Sequence, residues 1–152
     1  MNIAGYGLQV DIPTGWEGRI YKHKDDPKEP HTRFPIVHAA SFPLPGRRGD
    51  YGSGAVKLMS GADIFLAIIE FGPKYVGVRT FAPVRTPAPE PVSPGDLSPR
   101  ALQYYMAGHR GMQRFFVFEG KAFCLYLVAG SAAVADATFA EANQVISSLT
   151  LV

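Results

Sequence analysis

Four histidines, one cysteine and one glutamate set in an apolar run are the residues of this chain whose types could do chemistry. His23, His31, His38 and His109 would suit a metal at helical spacings of three or four, or at a strand spacing of two. His23 instead precedes His31 by eight positions and His31 precedes His38 by seven, so the sequence implies no metal site. Cys124 lies in Phe123-Cys124-Leu125-Tyr126-Leu127-Val128, where an apolar strand makes it a core thiol rather than a nucleophile. Glu70 sits within the apolar run 64–71, and either reaches the strand's solvent edge or faces a cavity in which its pKa would rise. The run Gly49-Asp50-Tyr51-Gly52-Ser53-Gly54 invites a phosphate-loop reading. Ala55 and Val56 stand where a P-loop needs Lys and Ser or Thr, so the run reads as a flexible loop. No Gly-x-Ser-x-Gly elbow occurs, no cofactor is implied, and no residue is assigned a catalytic role.

These groups must be positioned by one domain spanning 1–152, since the chain is long enough to bury roughly two-thirds of its unfolded surface in a single core. Hydrophobic residues make up 47% and charged residues 18%, a balance that folds rather than staying disordered. The net charge of +2 is too small for the wide positive field that binds a phosphate backbone, which argues against nucleic acid as a partner. No stretch approaches the ~20 apolar residues that span a bilayer, and the first residues lack a signal-peptide pattern. The expected compartment is the cytoplasm, although a removed signal segment would leave the same residues. A single cysteine allows no intramolecular disulfide.

Leu8, Val10 and Ile12 alternate with Gln9 and Asp11, which predicts a half-buried strand ended by Pro13-Thr14-Gly15. With residues 18–22 running back after Trp16, an opening hairpin is expected. Residues 23–35 are polar and read as a surface loop. Strands are expected at 36–42 and, covered on both faces, at 63–71, with a helical turn at 55–59 and a short edge strand at 76–81. Pro83, Pro87, Pro89, Pro91, Pro94 and Pro99 exclude a helix or central strand between them and predict a wrapping loop. Pro91 and Pro94 form a Pro-x-x-Pro pair, but Arg85 is misplaced for its flanking cation. Ser98-Pro99 reads as an N-cap and first helical residue, predicting a helix through Ala107 that buries Leu102, Tyr105 and Met106. Residues 112–128 read as a hairpin around Glu119-Gly120 with apolar residues on both faces. A helix is expected over 137–149, where Thr138 and Glu141 stand at capping-box spacing and Phe139, Ala142, Ile146 and Leu149 recur at helical intervals, and 150–152 would form a last strand. The fold class expected is therefore α+β, an antiparallel sheet with two main helices packed on it.

The run Tyr6-Gly7-Leu8-Gln9-Val10-Asp11-Ile12-Pro13-Thr14-Gly15-Trp16 resembles the opening of Mog1/PsbP-like domains, in which a strand leads into a Pro-x-Gly-Trp turn. The segment 108–128 resembles the late hairpin of that group, and 139–149 its closing helix. The resemblance covers both ends of the chain and leaves 46–54 and 83–99 unmatched. It implies an accessory, chaperone-like or adaptor role in binding other proteins, and carries over no catalytic residue.

A hairpin with two apolar faces must be covered on each, by a helix, by the long loop or by a second chain. The leading expectation is thus a non-catalytic protein-binding module, self-association through 112–128 being one form. Arg47, Arg48, Tyr51, Arg85, Arg114, Phe116 and Phe118 are the candidate partner contacts. Two alternatives stand beside it. One is a small-ligand pocket or weak hydrolase between the sheet and the helices, using His38, Glu70 or His109. The other is a structural subunit of a larger assembly.

Overall fold

The computed structural model describes residues 1–83 and 88–152. Arg85 and the part of the proline-rich loop at 84–87 lie outside the described residues. Nine strands form two sheets among those described: β1 (Asn2–Gly5), β2 (Leu8–Asp11), β3 (Glu17–Tyr21), β4 (Ile36–Ala40), β5 (Ile64–Glu70), β6 (Ala82–Pro83), β7 (Arg110–Phe118), β8 (Lys121–Ala129) and β9 (Thr150–Leu151). The larger sheet has the order β3-β4-β5-β8-β7-β6 and the smaller β1-β2-β9. All pairings are antiparallel except β6 with β7.

The expected pair of main helices is not there. The fold is mostly β, and its α-helices among the described residues are a four-residue turn, α1 (Ser53–Val56), and one longer helix, α2 (Asp136–Ser147). Where Ser98-Pro99 predicts a helix through Ala107, the chain runs as turns and bends. Tertiary partners take its backbone groups before a helix can form. Ser98 exchanges both backbone hydrogen bonds with Gly111 of β7, at 2.8 and 3.0 Å. The Tyr126 hydroxyl accepts from the Gln103 amide at 2.9 Å. Leu102 and Met106 still pack on the core, but Tyr104 and Tyr105 are exposed. Helix propensity worth tenths of a kcal/mol per residue loses to such contacts.

The opening hairpin is also differently paired. β2 pairs with β1 through the Tyr6-Gly7 turn, while the Pro13-Gly15 turn sends the chain across to the larger sheet as β3, beside β4. The short edge strand lies at Ala82–Pro83 rather than 76–81.

Other elements match their residue patterns. β5 is buried along its whole length at the centre of the sheet. The β7–β8 hairpin turns at Glu119 and Gly120, whose φ values of 49° and 79° are those of a type I′ turn. The amphipathic α2 buries Phe139, Ala142, Val145 and Ile146.

Alternation along the central strands builds two apolar layers. Ile64, Leu66 and Ile68 of β5 and Phe123, Leu125 and Leu127 of β8 face the layer that α2 and the small sheet cover, with Leu8, Val10 and Ile146 among its members. Phe65, Ala67, Ile69, Cys124, Tyr126 and Val128 face the opposite way. That second face is covered by the chain itself: Phe42, Ala55 and Val56 join its core, and Tyr51, Leu102 and Met106 pack on it. The hairpin is therefore sandwiched, and both covers are intramolecular.

The described part of the proline-rich segment straps the first layer's edge. Asn143 of α2 pairs with the Val92 backbone as a neighbouring strand would, accepting from its amide at 2.7 Å and donating to its carbonyl at 2.9 Å. Arg114 donates to the Glu90 carbonyl at 2.8 Å.

Candidate functional site

His38, at the middle of β4 on the second face, is fully buried. Its Nδ1 accepts a hydrogen bond from Arg48 Nε at 2.8 Å, which leaves Nε2 to carry the ring proton and donate to the Asp50 carbonyl at 2.8 Å. Burial, with the Arg48 charge adding to it, pushes the His38 pKa down to about 4, against the contact with Asp50. The ring is therefore a neutral anchor. It holds the loop between β4 and α1 onto the sheet, and Arg48 completes the attachment by donating to the Pro45 carbonyl at 2.7 Å and lying over the Tyr21 ring.

The same loop projects the Asp50 side chain outward. Its Oδ1 accepts from the Tyr21 hydroxyl at 3.0 Å and from His23 Nε2 at 2.7 Å. Burial, then the Asp50 carboxylate, pushes the Tyr21 pKa up, so this phenol donates and stays protonated. The outer pair, His23 and Asp50, sits on the rim of a cleft of about 390 Å³ at one end of the second face, within the range of small-ligand sites.

Apolar side chains floor this cleft: Phe34, Ile36, Ile69 and Phe71. The wall formed by the 3₁₀ turn Pro73–Tyr75 is fixed by a ring cluster, with Phe71 to Tyr75 at 5.5 Å, Tyr75 to Phe81 at 5.4 Å and Phe81 to Phe115 at 5.3 Å between centroids. Gly72 makes the corner. It has φ of 92°, and a β-carbon there would run into the Phe34 ring, so this position needs glycine on both counts. The rest of the rim is basic, with His31, Arg33 and Lys74. His31 holds a positive φ of 66°, a backbone state that non-glycine residues adopt mostly in turns and at functional sites. Arg33 has no ion pair or side-chain hydrogen bond among the described residues. Among the described residues Lys74 has only the face of Tyr75, with its Nζ 5.1 Å from the ring centroid.

Glu70 borders the cleft through its strand, but alternation puts its side chain on the α2 face with Ile68. There its Oε1 lies 3.7 Å from Lys121 Nζ, is buried, and makes no hydrogen bond. Burial raises the Glu70 pKa and Lys121 partly offsets that. A carboxyl with a raised folded pKa costs stability above that pKa and regains it as pH falls through it. Glu70→Gln is accordingly expected to raise stability by on the order of 1 kcal/mol at pH 7, with the gain over the parent shrinking as pH is lowered, in paired thermal melts.

His109 is apart from both. It is buried with an unpartnered Nδ1 in a separate hollow with Tyr105 and Ser131, and burial lowers its pKa. His38, Glu70 and His109 thus stand at three places and form no common site. Cys124 is buried and its thiol is pushed up to about 12 by burial, which leaves it protonated and unreactive.

The chain matches no family model, no curated protein and no solved structure. Geometry alone thus speaks for the site. Of the candidate partner contacts, Phe116 and Phe118 lie in the core, and Arg114 is bound to Glu90 and lies 3.8 Å from Asp96. Arg48 is bound to His38 and Pro45, and Tyr51 packs edge-on to Tyr126. Arg47 is exposed.

The cleft is not visible in sequence, because its residues come from 23–36, from Asp50 and from 69–75, each of which on its own has the pattern of loop or core. A basic residue beside an aromatic recurs at Arg33-Phe34 and Lys74-Tyr75. That recurrence was the available signal. No group of three His, Cys, Asp or Glu side chains placed to hold a metal occurs among the described residues, nor does a helix long and apolar enough to cross a membrane.

Proposed function

We propose that the protein is a non-catalytic binding module whose ligand is a small molecule held in the cleft between the 23–36 segment and the 70–75 turn. The observation that carries this is the combination of an apolar floor with basic rim groups that the fold leaves without anionic partners. Such a surface satisfies its charges only through solvent or a ligand. A His–Asp pair on a rim can orient a general base, but His23 has no hydroxyl or thiol hydrogen-bonded to it among the described residues, so the pair positions rather than attacks. The resemblance to Mog1/PsbP-like domains fits a binding role without catalysis. A protein partner is the second reading, and the exposed neighbours Tyr104 and Tyr105 favour it, being aromatics of the kind enriched at interfaces.

Thr32 is exposed and lines the cleft, so Thr32→Trp fills it from the rim without entering the core. In a ligand-observed NMR fragment screen, hits on the parent protein are expected to lose their signal with Thr32→Trp, while the two proteins melt within a few degrees of each other. Hits that bind the variant undiminished would place the ligand site elsewhere.

A further inference from the structure

We propose that the ligand class of this cleft is a small amphiphilic monoanion, a carboxylate on a short apolar body, with the carboxylate at Arg33 and Lys74 and the body on Phe34, Ile36, Ile69 and Phe71. This rests on the cleft being the ligand site, and adds what the ligand must be.

Charge decides the head group. Arg33 and Lys74 are basic side chains unpaired with any carboxylate among the described residues, whereas the rim's carboxylate, Asp50, is engaged by Tyr21 and His23. With histidine counted as neutral, two cations against one carboxylate in the lining leave a single excess positive charge, which one carboxylate matches. A dianionic phosphate would set its second charge against Asp50. An amine would meet two like charges and find the rim carboxylate already occupied. Glu70 does not change this balance, because its carboxyl stands with Lys121 on the other face of the sheet. Arg33 supplies the planar donor fork that a carboxylate oxygen pair fits, and Lys74 a point charge.

The floor decides the rest of the molecule. The half-buried Phe34 and Phe71 rings offer apolar surface, backed by the buried Ile36 and Ile69, so a flexible hydrocarbon or a single ring gains burial there. A fully polar anion would forgo that gain. The walls are set before binding, by Gly72 against Phe34 and by the Phe71, Tyr75, Phe81 and Phe115 rings, which limits the ordering cost of association.

The probes are octanoate, octyl phosphate, octylamine and octanol, titrated below micelle formation into the full chain, with the amide shifts of 31–36 and 69–75 as readout. Octanoate is expected to bind there about tenfold more tightly than octylamine or octanol, and more tightly than octyl phosphate. The double variant Arg33→Ala/Lys74→Ala, both changes on the rim, is expected to weaken octanoate about tenfold and leave octanol unchanged. Equal or tighter binding of octylamine, octanol or octyl phosphate at those amides overturns the carboxylate assignment and leaves the cleft as a site. So does octanoate binding that the double variant does not weaken. If no probe moves those amides, the carboxylate assignment and the cleft reading fall together.

Discussion

His38→Leu is expected to lower stability by about 3 kcal/mol, seen as a fall in Tm of roughly 10 °C. Leucine fills much of the ring's volume, so the loss is not mainly a cavity. It comes from two polar groups left without a partner at a fully buried position: the Arg48 Nε–H that donates to Nδ1 and the Asp50 carbonyl that accepts from Nε2, each at 2.8 Å. Leaving a buried polar group unpaired costs about 1–3 kcal/mol. The same ring sets an acid limit. Its folded pKa, about 4, lies below the ordinary 6.5, so between these values the unfolded chain binds a proton that the folded protein excludes. Stability is full above pH 6.5 and falls as pH drops toward 4, by about 3 kcal/mol at the lower end. In His38→Leu this part of the pH dependence is expected to vanish. Denaturant titrations at a series of pH values between 4 and 7 check both points, and a slope that survives in the variant would assign the acid limit to other groups.

Gly52→Ala is expected to cost about as much, on the order of 3 kcal/mol, for a steric reason rather than a polar one. Gly52 has φ of 73°, a state that costs an alanine roughly 1 kcal/mol. A β-carbon there would also enter the Phe65 ring at the centre of the second face. Making room in a packed layer costs about 1–3 kcal/mol more. Gly95→Ala is the control, since a β-carbon at Gly95 meets nothing within 4 Å and its φ is not in the left-handed region. The control should melt within about 1 °C of the parent. If the two alanine variants are equally stable, the loop does not sit on Phe65 as described.

The parts of the fold legible in sequence are those whose pattern is local. The unbroken apolar run of β5, the Glu119-Gly120 turn with its flanking aromatics, and the 3.6-residue spacing of α2 each carry their own signal. The absent helix after Ser98 shows where local signals fail. Ser98 caps the Arg100 amide at 3.1 Å as its type predicts, yet the pairing of Ser98 with Gly111 and the Tyr126 hydroxyl bond to Gln103 divert the chain after one turn. These partners are 13 and 23 positions away, beyond any window of sequence pattern. β1 was missed for a related reason: Asn2-Ile3-Ala4-Gly5 is a weak strand former, and its turn uses Tyr6 at φ of 51°, a residue type seldom placed there.

The candidate site was legible only in fragments. His38 stands in an apolar strand, and both of its ring nitrogens are hydrogen-bonded there. Glu70 reaches neither a charged cleft nor open solvent: its Oε1 is buried without a hydrogen bond, 3.7 Å from Lys121. What sequence did not show is that the second face of the β7–β8 hairpin is closed by the chain's own loops. That closure removes the motive for placing a partner on those strands and moves attention to the cleft at one end of that face. There His23, Asp50, Arg33 and Lys74 line one cleft from three segments.

Crystals of the protein soaked with octanoate test the central claim most directly. The account predicts ligand density in the cleft, with the carboxylate within hydrogen-bond distance of Arg33 or Lys74 and the alkyl chain on the Phe34 and Phe71 rings. Density confined to another surface, with this cleft holding water alone at saturating ligand, would contradict it.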